Sequence, residues 1–140
     1  MTVVPFLPFH VELMRLQGVQ AAQVSHVPAR YASFQRPPGP ALSAFDGETI
    51  IMCGGILTMN EHIGLLWALL SARAGTRMIF LDRAVRRFID SEPVRRLEAT
   101  VQKGFEPGCR WIKLLGFEYE GDMRAYGDGG ETHERWARVR

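Results

Sequence analysis

Apolar residues recur along the chain with two different periods. Alternation with a period near two predicts strands, and recurrence every three to four residues predicts amphipathic helices. The predicted strands cover residues 2–6, 41–45, 48–59, 62–70, 94–101, 117–126 and 132–139, and the predicted helices cover residues 10–23, 76–90 and 106–115. Residues 24–40 contain four prolines and are predicted to be an irregular connector.

The order of these elements predicts an α/β (α+β) fold with a mixed sheet of about six to seven strands. The helix over residues 76–90 joins two strands and is therefore expected to be a right-handed βαβ crossover. Residues 62–70 are almost wholly apolar, which indicates a central strand with helices on both faces of the sheet. A length of 140 residues is typical of one core, so the prediction is a single domain over residues 1–140.

Glycines mark the predicted turns. Asp46-Gly47 is a strong signal for a tight hairpin turn. Gly54-Gly55, within a predicted strand, indicates a bulge or a close approach of another backbone. Residues 127–130, Gly-Asp-Gly-Gly, are predicted to join the last two strands as a loop.

Composition narrows the classes of function. Hydrophobic residues make up 46% of the chain, which is enough to form a core. The net charge is +2, so no strong electrostatic field attracts nucleic acid or a membrane surface. No apolar run is long enough to span a bilayer. Cys53 and Cys109 are far apart and the four histidines are scattered, which predicts no metal site. The absence of a signal sequence favours a reducing, cytoplasmic compartment and two buried thiols.

The segment from Trp111 to Gly121 joins a helix to a strand in a specific way. An apolar helical run stops at Gly116, Phe117 follows at once, and alternation then begins. This helix–Leu-Gly-Phe–strand join resembles the C-terminal part of the GNAT (Gcn5-related N-acetyltransferase) fold. The order of elements is similar to that fold over nearly the whole chain, with the first 40 residues matching least well.

The resemblance implies a site for acetyl-CoA. In this family the cofactor enters a gap between the central strand and the strand after the crossover helix, and its diphosphate binds amides at the start of that helix. Free N–H groups and the helix dipole favour an anion there. The corresponding residues of this chain are predicted to bind the cofactor: Leu69, Leu70, Ser71, Arg73, Gly75, Thr76 and Arg77.

The same resemblance implies catalytic groups, and here the chain departs from the family pattern. Glu61 and His62 begin the central strand and are the predicted general base, acting through water, although both are also typical solvated turn residues. The family often has a tyrosine acid where this chain has Ile112, and an asparagine where it has Phe105. The phosphate loop lacks the second small residue of the family motif. Other residues that could act as acids are Cys109, Tyr119 and Tyr126.

Two functions remain open from the sequence. The first is an acyl-CoA-dependent N-acyltransferase that acts on an unknown amine. The second is a non-catalytic protein of the same fold that binds a protein partner. The stretches around residues 39–47, 53–56, 67–71, 95–101 and 120–127 resemble divergent GNAT-like proteins of tailed bacteriophages and prophages, some of them internal virion proteins. This resemblance implies a bacterial cytoplasm or a virion as the location.

For the partner-binding function, the candidate interface anchors are the aromatic residues Phe6, Phe9, Tyr31, Phe34 and Trp136, with packing in the core as the alternative for most of them. A nucleic-acid role is unlikely. It would need a basic patch of Arg83, Arg86, Arg87, Arg95 and Arg96, and arginines on an outward helix face are usually solvated.

Overall fold

The computed structural model describes residues 1–16 and 39–140. The second part of the first predicted helix, most of the predicted connector, Tyr31 and Phe34 lie outside the described residues. The helices and strands, in chain order, are β1 (Thr2–Pro5), α1 (Phe9–Leu16), β2 (Ala41–Asp46), β3 (Thr49–Thr58), β4 (Ile63–Leu70), a 3-10 helix (Ala72–Arg77), α2 (Met78–Ser91), β5 (Arg96–Gln102), α3 (Glu106–Leu114), β6 (Glu118–Met123) and β7 (His133–Val139).

The seven strands form one mixed sheet, as the element order predicts. Their spatial order is β1-β2-β3-β4-β5-β7-β6. All neighbours pair antiparallel except β4 and β5, which are parallel and are connected by α2. The predicted crossover and the central position of β4 are therefore confirmed.

The parallel pair is short. β4 and β5 pair at Ile63–Arg96, Gly64–Leu97 and Leu65–Glu98, and the ladder then stops. By contrast, β3 and β4 pair along their length, from Thr58–Gly64 to Met52–Leu70. The two central strands therefore separate towards their carboxyl ends, and the rest of the sheet stays continuous.

Helices cover the two faces of the sheet differently. On one face, α1 packs over Trp67 and Leu69 of β4 through Val11 and Met14. On the other face, α2 and α3 share a second cluster with Leu97, Ala99 and Trp136. Phe6 and Trp136, two of the predicted interface aromatics, are buried in these clusters, whereas Phe9 is 58% exposed.

The start of the crossover differs from the prediction. Residues 71–75 were expected to be a loop, with the helix starting at Thr76; instead a 3-10 helix covers Ala72–Arg77 and α2 begins at Met78. The Oγ atom of Ser71 accepts a hydrogen bond from the amide of Arg73 (2.9 Å), and the Ala74 amide donates to the Ser71 carbonyl (3.0 Å). This side-chain cap and the burial of Ala74 fix the tighter turn.

The join after α3 is a Schellman motif. The amide of Phe117 donates to the carbonyl of Ile112 (3.2 Å), and the amide of Gly116 donates to that of Lys113 (3.0 Å). Gly116 has a φ of 91°, which only glycine adopts without strain. Phe117 and Ile112 are both buried in the cluster beneath α3, so this aromatic residue anchors the chain against the helix just before β6 begins.

We expect Gly116→Ala to lower the free energy of unfolding by about 1–2 kcal/mol, because a Cβ atom disfavours this left-handed backbone. Gly75→Ala is the matched control: no atom lies within 4 Å of its added Cβ and its φ is not positive, so its effect should be close to zero. Chemical denaturation of both variants measures the difference. Equal stabilities would contradict the role of Gly116.

Candidate functional site

A cavity of about 340 Å³ occupies the gap where β4 and β5 separate. Its walls are mostly apolar. Leu66 and Leu70 line it from β4, and Val85 and Phe88 line it from α2. A further part of the wall comes from α3 and the residues that flank it, namely Phe105, Gly108, Trp111, Ile112 and Leu115.

Residues from both faces of the sheet line the cavity. On β5, Ala99 and Val101 point towards α2 and α3, and alternation therefore places Thr100 and Gln102 on the opposite face. All four of these residues line the cavity.

The end of the cavity beside β5 and β7 is polar. Thr100, Gln102, Glu131 and His133 line it there. Gln102 and His133 are paired across the β5–β7 ladder, so the imidazole lies beside the last residue of β5. Nε2 of His133 is 3.5 Å from Oε1 of Glu131, which is an ion-pair contact rather than a well-formed hydrogen bond.

The glycine-rich loop between β6 and β7 packs against Glu131. A Cβ atom on Gly127 would lie 1.8 Å from Oε1 of Glu131, so a larger residue at this position would displace the carboxylate. The backbone amide of Glu131 itself, the contact with the His133 ring and the amide of Gly129 keep the pKa of the Glu131 carboxyl below its usual value. The carboxylate is therefore ionised at neutral pH.

Polar contacts connect α2 to α3 beside the cavity. Asp82 accepts hydrogen bonds from Nε1 of Trp111 (3.2 Å) and from Nε of Arg86 (2.8 Å). Arg86 also donates to the carbonyl of Leu114. Trp111 is thereby held against the cavity wall and does not fill the gap.

The predicted cofactor residues fall into different environments. Leu70 lines the cavity, whereas Leu69 points to the other face and packs under α1. Ser71 is buried and its hydroxyl caps the 3-10 helix. Arg73, Gly75, Thr76 and Arg77 lie on the 3-10 helix, just past the carboxyl end of β4, and none of them lines the cavity.

The two arginines of this helix differ in their contacts. Nε of Arg77 is 2.9 Å from Oδ2 of Asp46, so this side chain is already in an ion pair. Arg73 is exposed and makes no ion pair with residues that the structure describes. Arg73 is therefore the arginine that remains available to an anion at this end of β4.

Glu61 and His62 do not lie at the cavity. Their side chains are 84% and 68% exposed and contact each other at 3.2 Å. They precede Ile63, which is paired with Arg96 at the closed end of the β4–β5 ladder. The strands separate at the other end, so this pair and the gap are at opposite ends of β4.

The two positions where the GNAT family often has a polar catalytic group carry apolar residues in this chain. Ile112 and Phe105 both line the cavity. Cys109 does not line it; its thiol donates a hydrogen bond to Oε2 of Glu134 (3.4 Å). Among the described cavity-lining residues there is no tyrosine, and the hydroxyl of Tyr119 instead donates to Asp122 (2.7 Å).

Sequence reasoning missed Glu131 and His133 as site residues. The histidine appeared to be an ordinary member of an alternating strand. Its place at the cavity depends on the pairing of β5 with β7, which joins segments far apart in the chain. The only local signal was the loop of residues 127–130, whose glycines indicate close packing against the residue that follows.

Other kinds of site find little support. Within residues 1–16 and 39–140, no three His, Cys, Asp or Glu side chains converge as metal ligands would. None of the described helices is long and apolar enough to cross a membrane. Of the five arginines in the predicted basic patch, Arg86 and Arg96 are in ion pairs with neighbouring carboxylates.

Comparison with solved structures identifies the fold. An acetyltransferase of the GNAT family from Streptococcus pneumoniae is 18% identical, with a TM-score of 0.69 over 99% of both chains. A mutant spermidine N-acetyltransferase from Vibrio cholerae is 11% identical, with a TM-score of 0.73 over 99% of this chain and 95% of that one. A ribosomal-protein-S5-alanine acetyltransferase from Vibrio fischeri is 18% identical, with a TM-score of 0.70 over 98% and 91%.

These identities are low, so the similarity concerns the fold. The sequence matches no protein-family model and no curated protein. The chain therefore has the GNAT-like α/β fold that the join at Gly116 indicated.

We expect the thiol of Cys109 to be unreactive near neutral pH. Burial, together with the carboxylate of Glu134, raises the pKa of this thiol to about 11. At pH 7.5 its thiolate fraction should be about 100-fold below that of an unperturbed cysteine, because two pKa units separate them. The rate of alkylation against pH, measured in a Cys53→Ala background, tests this.

Glu134→Gln should shift that profile to lower pH, since it removes the negative charge that disfavours the thiolate. Cys109→Ala in the same background controls for reaction elsewhere. Rapid alkylation at pH 7 would contradict the assignment and would restore Cys109 as a candidate acid.

Proposed function

We propose that this protein is an acyl-CoA-dependent N-acyltransferase. The observation that carries the proposal is the cavity between β4 and β5, which is lined by residues from both faces of the sheet. The same architecture occurs in structures described as acetyltransferases. The acyl donor would occupy the gap from the side of α2 and α3, and the amine would approach from the opposite face.

The residues of this protein fit the pantetheine chain of an acyl-CoA better than they fit its diphosphate. The walls from Leu66, Leu70 and Val85 are apolar, as a pantetheine chain requires. Beyond Leu65, the edge of β4 that faces β5 has no strand neighbour, so its backbone is placed to pair with the amides of that chain. Proximity of the two reactants would then supply much of the rate acceleration.

The diphosphate would bind where the 3-10 helix and α2 begin. The amides of Arg73 and Ala74 are already engaged by Ser71, which reduces the number of donors. Arg73 offers a charge that is not neutralised by a described carboxylate, and it is the residue expected to contribute most of the affinity for this part of the cofactor. Arg77 would first have to leave Asp46.

The predicted base, Glu61 with His62, stays a prediction, and the position of the pair at the closed end of β4 argues against it. The predicted phage origin and virion association likewise stay predictions. A non-catalytic, partner-binding protein of the same fold is the alternative, and direct binding of acyl-CoA separates the two functions.

We expect acetyl-CoA to bind with a dissociation constant in the micromolar range, and Arg73→Ala to weaken binding by about tenfold, because one charge-assisted contact to phosphate is lost. Isothermal titration calorimetry measures both. Arg83→Ala, which removes the same charge from an exposed position on α2 outside the cavity lining, is the matched control and should bind like the parent.

Ala68→Phe tests the gap itself. Ala68 lines the cavity, so a benzyl group there should reduce the cofactor's affinity at least tenfold while the chain still unfolds cooperatively. No binding by the parent protein at millimolar acetyl-CoA would refute the proposed function and favour the partner-binding alternative.

A further inference from the structure

His133 is a buried histidine whose ring has no hydrogen bond within the described structure. The residue is 8% exposed, and neither Nδ1 nor Nε2 has a hydrogen-bond partner among the described residues. Buried polar groups are nearly always paired, so a ring left in this state needs an explanation. Because His133 also lines the cavity, a ligand that enters the cavity can reach it.

Glu131 is the only charged side chain among the described residues that line the cavity. Every other lining residue is apolar, a glycine, a neutral polar residue or His133. The Glu131 carboxylate lies at the polar end of the cavity with the side chain 34% exposed, so a cation can approach it there. Gly127 and Gly129 of the loop lie against this side chain, and its Oε1 is 3.5 Å from Nε2 of His133.

We propose that Glu131 and His133 form the amine site of this acyltransferase: Glu131 binds the acceptor as an ammonium ion, and His133 accepts its proton. The inference rests on the proposed function, since it needs an acyl donor in the same gap. The acceptor class that it identifies is a primary amine that is positively charged at neutral pH.

The acyl transfer needs no tyrosine as an acid, because each proton that moves has a donor and an acceptor among the groups described. The ammonium ion gives one proton to the imidazole, and the neutral amine attacks the thioester carbonyl carbon. The C–N bond forms and the C–S bond breaks, and the second proton of the nitrogen goes to the departing sulfur. The products are the amide and the CoA thiol, and the imidazolium releases its proton to solvent.

The surroundings of the ring favour this exchange. Besides Glu131, the titratable group that faces the imidazole is Tyr126, whose ring lies 5.4 Å away in an edge contact. β5 contributes the neutral Gln102 opposite His133, and β6 contributes Met123. The nearest cation on the same face of β7, Arg135, is paired with Glu98 at 2.8 Å and so does not neutralise Glu131.

Steady-state turnover with acetyl-CoA tests the pair, using 1,4-diaminobutane as the cationic acceptor and hydroxylamine as an acceptor that is uncharged at neutral pH. Glu131→Gln should raise KM for the diamine about tenfold and leave KM for hydroxylamine unchanged, since only the cation needs the charge. His133→Gln should lower kcat for the diamine about 100-fold and remove the low-pH limb of the kcat/KM profile.

Two further measurements distinguish a specific loss of diamine turnover from misfolding and from a general loss of acyl transfer. Calorimetric titration with acetyl-CoA shows whether each variant is folded and binds the donor, and hydroxylamine turnover shows whether acyl transfer itself survives. If His133→Gln still binds acetyl-CoA and still turns over hydroxylamine while its turnover of the diamine falls, the proposal holds. If the variant turns over the diamine normally, or if Glu61→Gln/His62→Gln removes the low-pH limb instead, the proposal is wrong.

Failure of the parent protein to bind acetyl-CoA would refute the proposed function, and this inference with it. Binding and hydroxylamine turnover by the parent, with no difference between parent and variants towards the diamine, would refute the inference alone. Asp128→Asn, which removes a negative charge from the same loop but not from the cavity lining, is the matched control for Glu131→Gln.

Discussion

The whole arrangement depends on the early end of the pairing between β4 and β5. Three residue pairs hold the parallel strands together at one end, and nothing in the ladder holds them at the other. Both strands keep their antiparallel partners on their outer sides, so the sheet does not come apart. The gap therefore costs only a few backbone hydrogen bonds. Apolar residues of α2 and α3 form part of its wall, and residues from both faces of the sheet line it.

The charged side chains on the surface of the sheet are paired with one another, whereas the one at the cavity is not. On β5, β7 and β6, the face away from α2 and α3 carries Arg96, Glu98, Arg135 and Glu120 in a connected set of ion pairs. Each member is neutralised by a neighbour, so this surface has little net field. Glu131, at the cavity, faces the ring of His133 and forms no ion pair with an arginine or lysine of the described residues. The site therefore has one local charge in an otherwise balanced surface, which is what discrimination for a cation requires.

The sequence predicted the architecture far better than the site. Alternation and the stop at Gly116 depend on neighbours along the chain, and both were confirmed. The 3-10 helix at Ala72 was missed because a serine cap and one buried alanine decided it. The sequence did not indicate that Glu61 and His62 lie at the paired end of β4, because spacing along the chain does not say at which end two parallel strands separate. Glu131 and His133 went unnoticed because tertiary pairing, and not their own spacing, brings them to the cavity.

Ile112 at the position of a family tyrosine is not decisive against catalysis. A thiolate is a good leaving group, since a thiol with an ordinary pKa of about 8.5 is far more acidic than an alkylammonium ion at about 10.4. The attacking nitrogen becomes strongly acidic as it bonds to the carbonyl carbon, so it carries the proton that the sulfur needs. What the amine cannot provide for itself is the first deprotonation. The constraint on such a site is therefore a proton acceptor on the amine's side of the sheet, and His133 is placed on that side.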